Sequence, residues 1–267
     1  MAATRDTTVV EMHCHTEFSS DGMITFDGMV RTAGRRGIDV VCVTDHDTID
    51  GALEFRRRAR LTNASLQIVV GEERTLADGS HLIGLFLHDP ITSSDLAAAV
   101  EEVHAQGGAV LVPHPFRRKD GLFRGVPDPG AADVRGIDAF EIFNAKGSYA
   151  DNARARDLTG LPLGVFGGSD AHYESDIGQC VCEMQRDGSP EDALRAMLKG
   201  RTPFRVRGIH KAPGSAERRY APVYYRIRPF VRLPKRLLPV AKQAYRYYRN
   251  HLLQPTPPVL EEVYRHE

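Results

Sequence analysis

The sequence predicts an α/β fold in which a parallel sheet closes into a barrel, followed by a basic C-terminal extension. Three observations predict it. Strand-like and helix-like stretches alternate over the first 200 residues, and that rhythm builds parallel sheets. Nearly every strand-like stretch ends in His, Asp or Glu, as expected where parallel strand ends converge on one functional rim. The charge is divided as well. Residues 1–200 carry 20 Lys/Arg against 31 Asp/Glu, whereas residues 201–250 carry 14 Lys/Arg against one acid, Glu217.

The elements follow in order. The β-rich run at 7–15 reads as the first strand. Residues 27–36 read as an amphipathic helix with Gly37 just past its end. A buried strand is expected at 38–47, a helix at 51–62, and strands at 66–73 and 81–89. Residues 93–108 open with serine and acid cap candidates and stop at a double glycine, which frames a helix. Further strands are expected at 109–116, 138–145 and 161–172, and a capped helix at 189–200. From about Gly208 the rhythm stops, Pro and basic residues become frequent, and tyrosines cluster. Residues 235–253 have the pattern of a basic amphipathic helix, broken by the QPTPP that follows. The expected division is a barrel over 1–207 and an extension over 208–267.

Hydrophobic residues at 42% and charged residues at 26% imply a packed soluble core. No apolar run approaches the roughly 18 to 20 residues that span a bilayer. The N-terminus lacks the pattern of a secretory signal, so a cytoplasmic protein is expected. Cys14, Cys42, Cys180 and Cys182 all fall in strand-like segments and form no C-x-x-C pair. They read as reduced, buried thiols rather than as a zinc site.

Residues with metal chemistry recur at the strand ends. His13 and His15, two apart on a strand, share one side of the pleat. They read either as a chelating pair or as an ordinary polar strand end. Asp21 follows in an SSDG turn. Asp45 and His46 end the second strand, and Glu72 and Glu73 the third. His81 opens the next, His114 ends another, Glu141 and Asn144 share a strand, and Asp170 and His172 close the set.

This ordered set resembles the polymerase and histidinol phosphatase (PHP) superfamily over about residues 9–205. The motifs are His13-Cys14-His15, Ser20-Asp21-Gly22, Thr44-Asp45-His46, Gly71-Glu72-Glu73, the isolated His81, His114-Pro115 and Asp170-Ala171-His172. The resemblance implies a distorted (β/α)7 barrel, one strand short of the usual eight. It also implies a metal-dependent phosphoesterase with three metal positions. One would use His13, His15, Glu73 and Asp170. The second would use Glu73 as a bridge with His81 and His114, and the third Asp21, His46 and His172. Imidazole mixed with carboxylate suits Mn²⁺, Zn²⁺ or Fe²⁺ better than Ca²⁺. Glu73 is preferred to Glu72 on the G-x-E spacing, and the two point to opposite faces.

The chemistry expected is hydrolysis. Divalent cations about 3.5–4 Å apart lower the pKa of a bridging water, so hydroxide is the nucleophile and no Ser or Cys is needed. Asp45 is a candidate base orienting a ligand histidine, or else a loop hydrogen-bond acceptor. Arg117, Arg118 and Lys119 follow His114-Pro115 and are candidates for clamping a phosphate, or else form a solvated basic loop. His88, His104, His210, His251 and His266 fall outside the set.

The expected substrate is a phosphorylated small metabolite, a nucleotide or an oligonucleotide end. Two other classes stand beside this reading: a non-catalytic binding module of the same fold, and a metal-dependent C–N hydrolase. The stretch 208–250 has three readings: nucleic-acid contact through cations and tyrosines, docking on an anionic membrane, or packing on the acidic barrel.

Overall fold

The structure, a computed structural model, describes residues 6–126, 134–186, 188–209 and 260–267. Most of the basic extension, residues 210–259, lies outside the described residues, and with it the contacts expected of 208–250.

Seven strands form the curled sheet of a distorted barrel: β1 (Thr7–Cys14), β2 (Val40–His46), β3 (Gln67–Thr75), β4 (His81–Leu85), β5 (Ala109–Val112), β6 (Ala139–Asn144) and β7 (Gly164–Gly168). Between them lie α1 (Phe26–Arg36), α2 (Asp50–Leu61), α3 (Leu96–Ala105) and α4 (Tyr149–Arg156). The caps follow the sequence. The Thr25 and Asp95 side chains accept the Gly28 and Ala98 N–H groups, and Gly37 ends α1 at φ 64°. Helix α4 escaped the sequence reading because it buries little, only Asn152 and Ala155. After β7 come β8 (Cys180–Gln185), α5 (Pro190–Leu198), β9 (Phe204–Gly208) and β10 (Glu261–His266).

The sheet is mixed, which corrects the expectation of a parallel one. β1–β2–β3 and β5–β6–β7 pair in parallel, but β4 is antiparallel to both β3 and β5. The connection from β3 to β4 spans only residues 76–80, closed by the Leu76 N–H on the Ser80 carbonyl at 2.8 Å. A parallel crossover needs about a dozen residues or more, so so short a link forces a hairpin. The start of β4 is therefore what reaches the rim where the parallel strands end. β8, β9 and β10 extend the sheet in antiparallel fashion from β1, with Glu261 opposite Gly208. β9 and β10 were not anticipated.

Barrel closure falls between β7 and β1. The His15 N–H donates to the Ala171 carbonyl at 2.7 Å, and the Ala171 N–H to His13 at 3.0 Å. The first half of β1 pairs with β8 instead, so a gap opens where β8 leaves and β7 arrives. Glu11 spans that gap. Its carboxylate, fully buried, accepts N–H groups from Ser169 (3.0 Å), Gly178 (2.7 Å) and His13 (3.2 Å). Burial pushes its pKa up to about 7, against the pull of those donors.

Two register shifts re-aim side chains. On β1 the pairing with β2 slips between Glu11 and Cys14; on β6 the pairing with β7 slips between Glu141 and Phe143. Val10 and Met12 pack with Val40, Cys42 and Val69 in one core cluster. The extra residue lets the next position, His13, turn toward the same interior.

Ionised Glu11 is costly to the folded state, because its pKa there is raised to about 7. Wild-type stability should therefore fall as pH rises toward and through that value, and Glu11→Gln, which cannot ionise, should lose that fall, read by chemical denaturation between about pH 5 and 8. An equal pH dependence in the two proteins would mean that Glu11 does not titrate at the closure.

Candidate metal centre

All nine histidine and carboxylate positions of the predicted ligand set meet at one rim of the barrel. Their centre is the buried Glu73. Its Oε2 lies 3.1 Å from His13 Nε2, 3.1 Å from His15 Nε2 and 3.6 Å from His46 Nδ1. Its Oε1 lies 2.9 Å from both His81 Nδ1 and His114 Nε2. Glu72, one residue earlier, faces the other way and accepts the Ile91 N–H, as the pleat requires. Asp170 Oδ1 faces His15 Nε2 at 3.5 Å and His13 Nε2 at 3.8 Å. Asp21 Oδ2 faces His172 Nε2 at 3.0 Å and His46 Nε2 at 3.5 Å.

Four-, three- and overlapping three-residue groups emerge whose donor atoms lie within 4.8 Å of one another: His15, Asp21, His46 and His172; His13, Glu73 and His114; His13, His15 and Asp170; His46, Glu73 and His81. Another group adds Asp120 to His81 and His114. Asp120 was not among the sequence candidates; it lies beyond the His-Pro motif, where no motif marks it.

The backbone is bent to make this arrangement. His114 and Asp170 adopt φ of 30° and 52°, an uncommon region for non-glycine residues that recurs at functional sites. Gly168 is required beside them, because a Cβ there would come within 2.4 Å of Glu141 Oε1 and 2.6 Å of His13 Cβ.

Glu141, rather than Asp45, hydrogen-bonds a histidine of the cluster. Glu141 Oε1 meets His13 Nδ1 at 3.2 Å, while its Oε2 accepts the His114 N–H at 2.6 Å and Asn144 Nδ2 at 2.9 Å. Asp45 gives both oxygens to Thr16, accepting its N–H at 2.5 Å and its hydroxyl at 2.7 Å, and forms no ion pair with a histidine among the described residues. Its place is that of the loop acceptor. Arg117 reaches the site, pairing with Asp170 Oδ2 and lying 3.6 Å from Asp120. Arg118 and Lys119 are exposed, without an ion pair among the described residues. Lys146, which the sequence reading passed over, sits 3.1 Å from both His172 Nδ1 and Asp176 Oδ2.

The electrostatics match a cation-binding site. Burial opposes ionisation of Glu73, yet His13, His114 and His15 hold it well below the usual carboxylate range. Asp170 is likewise held low against burial, chiefly by Arg117 and His13, and Asp21 by His172 and His46. Against burial, the Glu73 charge drives His13 well up, and a hydrogen bond from His46 to Asp21, together with the Glu73 charge, raises His46 to about 9. Burial and the Arg117 charge lower His114; burial and Lys146 lower His172.

The donor set fits divalent cations. Both ring nitrogens of His15, Nδ1 of His46 and His114, and Oδ1 of Asp120 are buried without a hydrogen-bond partner among the described residues. His15 Nε2 is close to Glu73 and Asp170 but misaligned for donation, which is the geometry of atoms that face a common cation rather than each other. The cysteines offer no rival chemistry, since burial pushes Cys14 and Cys42 well up and Cys182 to about 12.

Comparison with known proteins places this geometry. The sequence profile of the PHP domain matches residues 11–112, and that of the PHP-associated region matches 150–202. An uncharacterized protein of Methanocaldococcus jannaschii is 27% identical over 172 residues, 58% of this chain and 95% of its own length. A two-domain protein from Bacteroides vulgatus, containing a predicted PHP-like metal-dependent phosphoesterase, shares the fold at a TM-score of 0.59 and 21% identity, over 74% of this chain and 64% of that one. The lesion-specific endonuclease Q of Pyrococcus furiosus does so at 0.56 and 14% identity, over 73% and 56%. The two profiles take in every cluster residue from His13 to His81 together with Asp170 and His172, and on that match the chain belongs to the PHP superfamily.

Proposed function

We propose that the protein is a divalent-metal-dependent phosphoesterase that hydrolyses a phosphorylated small metabolite, a nucleotide or an oligonucleotide end. The observation that carries this reading is Glu73, a buried carboxylate with imidazoles on both oxygens. His13, His15, Glu73 and Asp170 would hold one cation. Glu73, His81 and His114, with Asp120 beside them, would hold a second. Asp21, His46 and His172, with His15 in reach, would hold a third. Mn²⁺, Zn²⁺ and Fe²⁺ suit these donors. Bound cations would lower the pKa of a water and neutralise charge developing on a phosphoryl group.

The chain's own groups do the rest. Glu141 fixes the His13 ring, and so sets which nitrogen faces the cluster. Arg117 lies at the rim against Asp170, where its planar fork suits a phosphate. Arg118 and Lys119 add positive charge on the same loop. The buried cysteines stay protonated, so no thiolate competes as nucleophile. The basic stretch 208–250 would add contacts to a polyanionic substrate.

The decisive experiment joins metal analysis to a Mn²⁺-supplemented panel of phosphomonoesters, phosphodiesters and 5′-phosphorylated oligonucleotides. We expect two or more bound ions, phosphate-ester cleavage in at least one arm, its loss on chelation and its return on adding metal. Bound ions with no cleavage in any arm would overturn the reading in favour of a binding module or a C–N hydrolase.

Three further outcomes are expected. Glu73→Gln should weaken metal binding by more than the roughly 10–100-fold typical of outer-shell changes; retention of wild-type metal content would displace Glu73 from the centre. Metal affinity should rise with pH toward about 9. The sign follows from the raised histidines: below that value the metal must expel their protons, so calorimetry in buffers of different ionisation enthalpy should register proton release. Arg117→Lys should raise KM for the cleaved ester while metal content stays constant, because an ammonium cannot reproduce a bidentate contact. Unchanged KM would remove Arg117 from the substrate site.

A further inference from the structure

The opposite end of the barrel carries a cleft of about 620 Å³, formed by the C-terminal half of α2, the first half of β3, the residues after β4, and α5. None of its lining residues belongs to the metal cluster. The volume lies within the roughly 300–1,000 Å³ usual for small-molecule sites.

Its charge is one-sided. Arg56 and Arg60 lie four residues apart on α2, on one face of the helix. Neither side chain has an ion pair or hydrogen bond among the described residues. The third guanidinium, Arg195, is held in place. Its Nε and Nη2 donate to Glu191 Oε1 at 3.2 and 3.0 Å, its Nη1 donates to the Gly107 carbonyl at 3.2 Å, and it stacks on the Phe86 ring at 3.6 Å. Among the described residues, Glu191 is the only acid in the lining against three arginines. Ile68 and Val70, both buried, also line it.

Phe86 adds a second, independent observation. It has φ of 63°, a genuine outlier for a bulky side chain. Such strain persists where surroundings fix it, and it clusters at ligand sites. Here it directs the ring under Arg195, so the guanidinium is fixed before any ligand arrives, which lowers the ordering cost of binding.

We propose that this cleft is a second ligand site, which takes a small polyanion, carrying clustered phosphate or carboxylate groups, between Arg56, Arg60 and Arg195. Three guanidiniums against one carboxylate suit an anion. Residues 201–250, with 14 Lys/Arg against a single acid, match this cleft in charge and so lack the chemistry of its ligand. The inference is independent of the phosphoesterase reading, because it uses no residue of the cluster.

The test titrates the full chain, stripped of metal and dialysed, with inorganic pyrophosphate in one arm and citrate in the other, by isothermal calorimetry. Saturable binding in the pyrophosphate arm identifies a phosphate site, and in the citrate arm a carboxylate site. The double variant Arg56→Glu with Arg60→Glu should weaken that binding by at least about tenfold, the effect of losing charge-assisted hydrogen bonds. Arg35→Glu with Arg201→Glu, which makes the same charge change elsewhere, should leave it intact. Equal loss in both double variants would reduce the effect to general screening and overturn the proposal. So would binding abolished by Arg117→Ala but kept in the cleft variant, which would put the anion at the metal end. Absence of binding in both arms would overturn it as well.

Discussion

Everything at the functional rim answers to one carboxylate. Glu73 is buried, and a buried charge is tolerated only where partners surround it. The five imidazoles on its two oxygens come from β1, β2, β4 and the residues just after β5. No single element could supply them. The sheet must therefore curl until these strands face one another, and the hairpin that reverses β4 is what brings His81 into reach. The strained backbone at His114 and Asp170 belongs to the same demand. Proteins keep uncommon φ values where packing and charge over-determine them, and here several charged groups fix each position.

The arrangement is uneven in its counter-charges. On the β5–β7 side, Arg117 and Lys146 stand beside Asp170 and His172. On the β2–β4 side, among the described residues, the cluster has imidazoles, Asp21 and, beside His81, Asp120. Negative charge arriving at the rim would be drawn toward the first side, because fixed cations in a water-poor site act more strongly than in bulk water. This asymmetry gives the site a direction that its metal-ligand types alone do not carry.

Much of this was legible in the sequence, and for a physical reason. Strand ends have short-range signatures, and a pleat period of two settles by itself that His13 and His15 share a face and that Glu72 and Glu73 do not. The rhythm of strands and helices also announced the barrel. What escaped depends on long-range pairing. The reversed β4 was hinted at by the seven-residue link between the strands expected at 66–73 and 81–89, but the rhythm around it read as parallel. The slips in register on β1 and β6 leave no local mark, so the turning of His13 toward Glu73 could not be read off. Glu141, not Asp45, hydrogen-bonds a cluster histidine because such contacts depend on which strand lies opposite, and Asp45 accepts from Thr16 instead. Asp120 and Lys146 sit on loops whose direction only the fold decides.

The pairing of β10 with β9 has a consequence for the basic stretch between them. Gly208 lies opposite both Glu261 and Cys180, and Cys180 exchanges hydrogen bonds with Ser169, the neighbour of Asp170. The chain thus departs from the sheet and rejoins it at adjacent points, on the same end of the barrel as the cluster. The last antiparallel pair of the sheet therefore keeps the two points where the chain leaves and re-enters it, Gly208 and Glu261, side by side at that end.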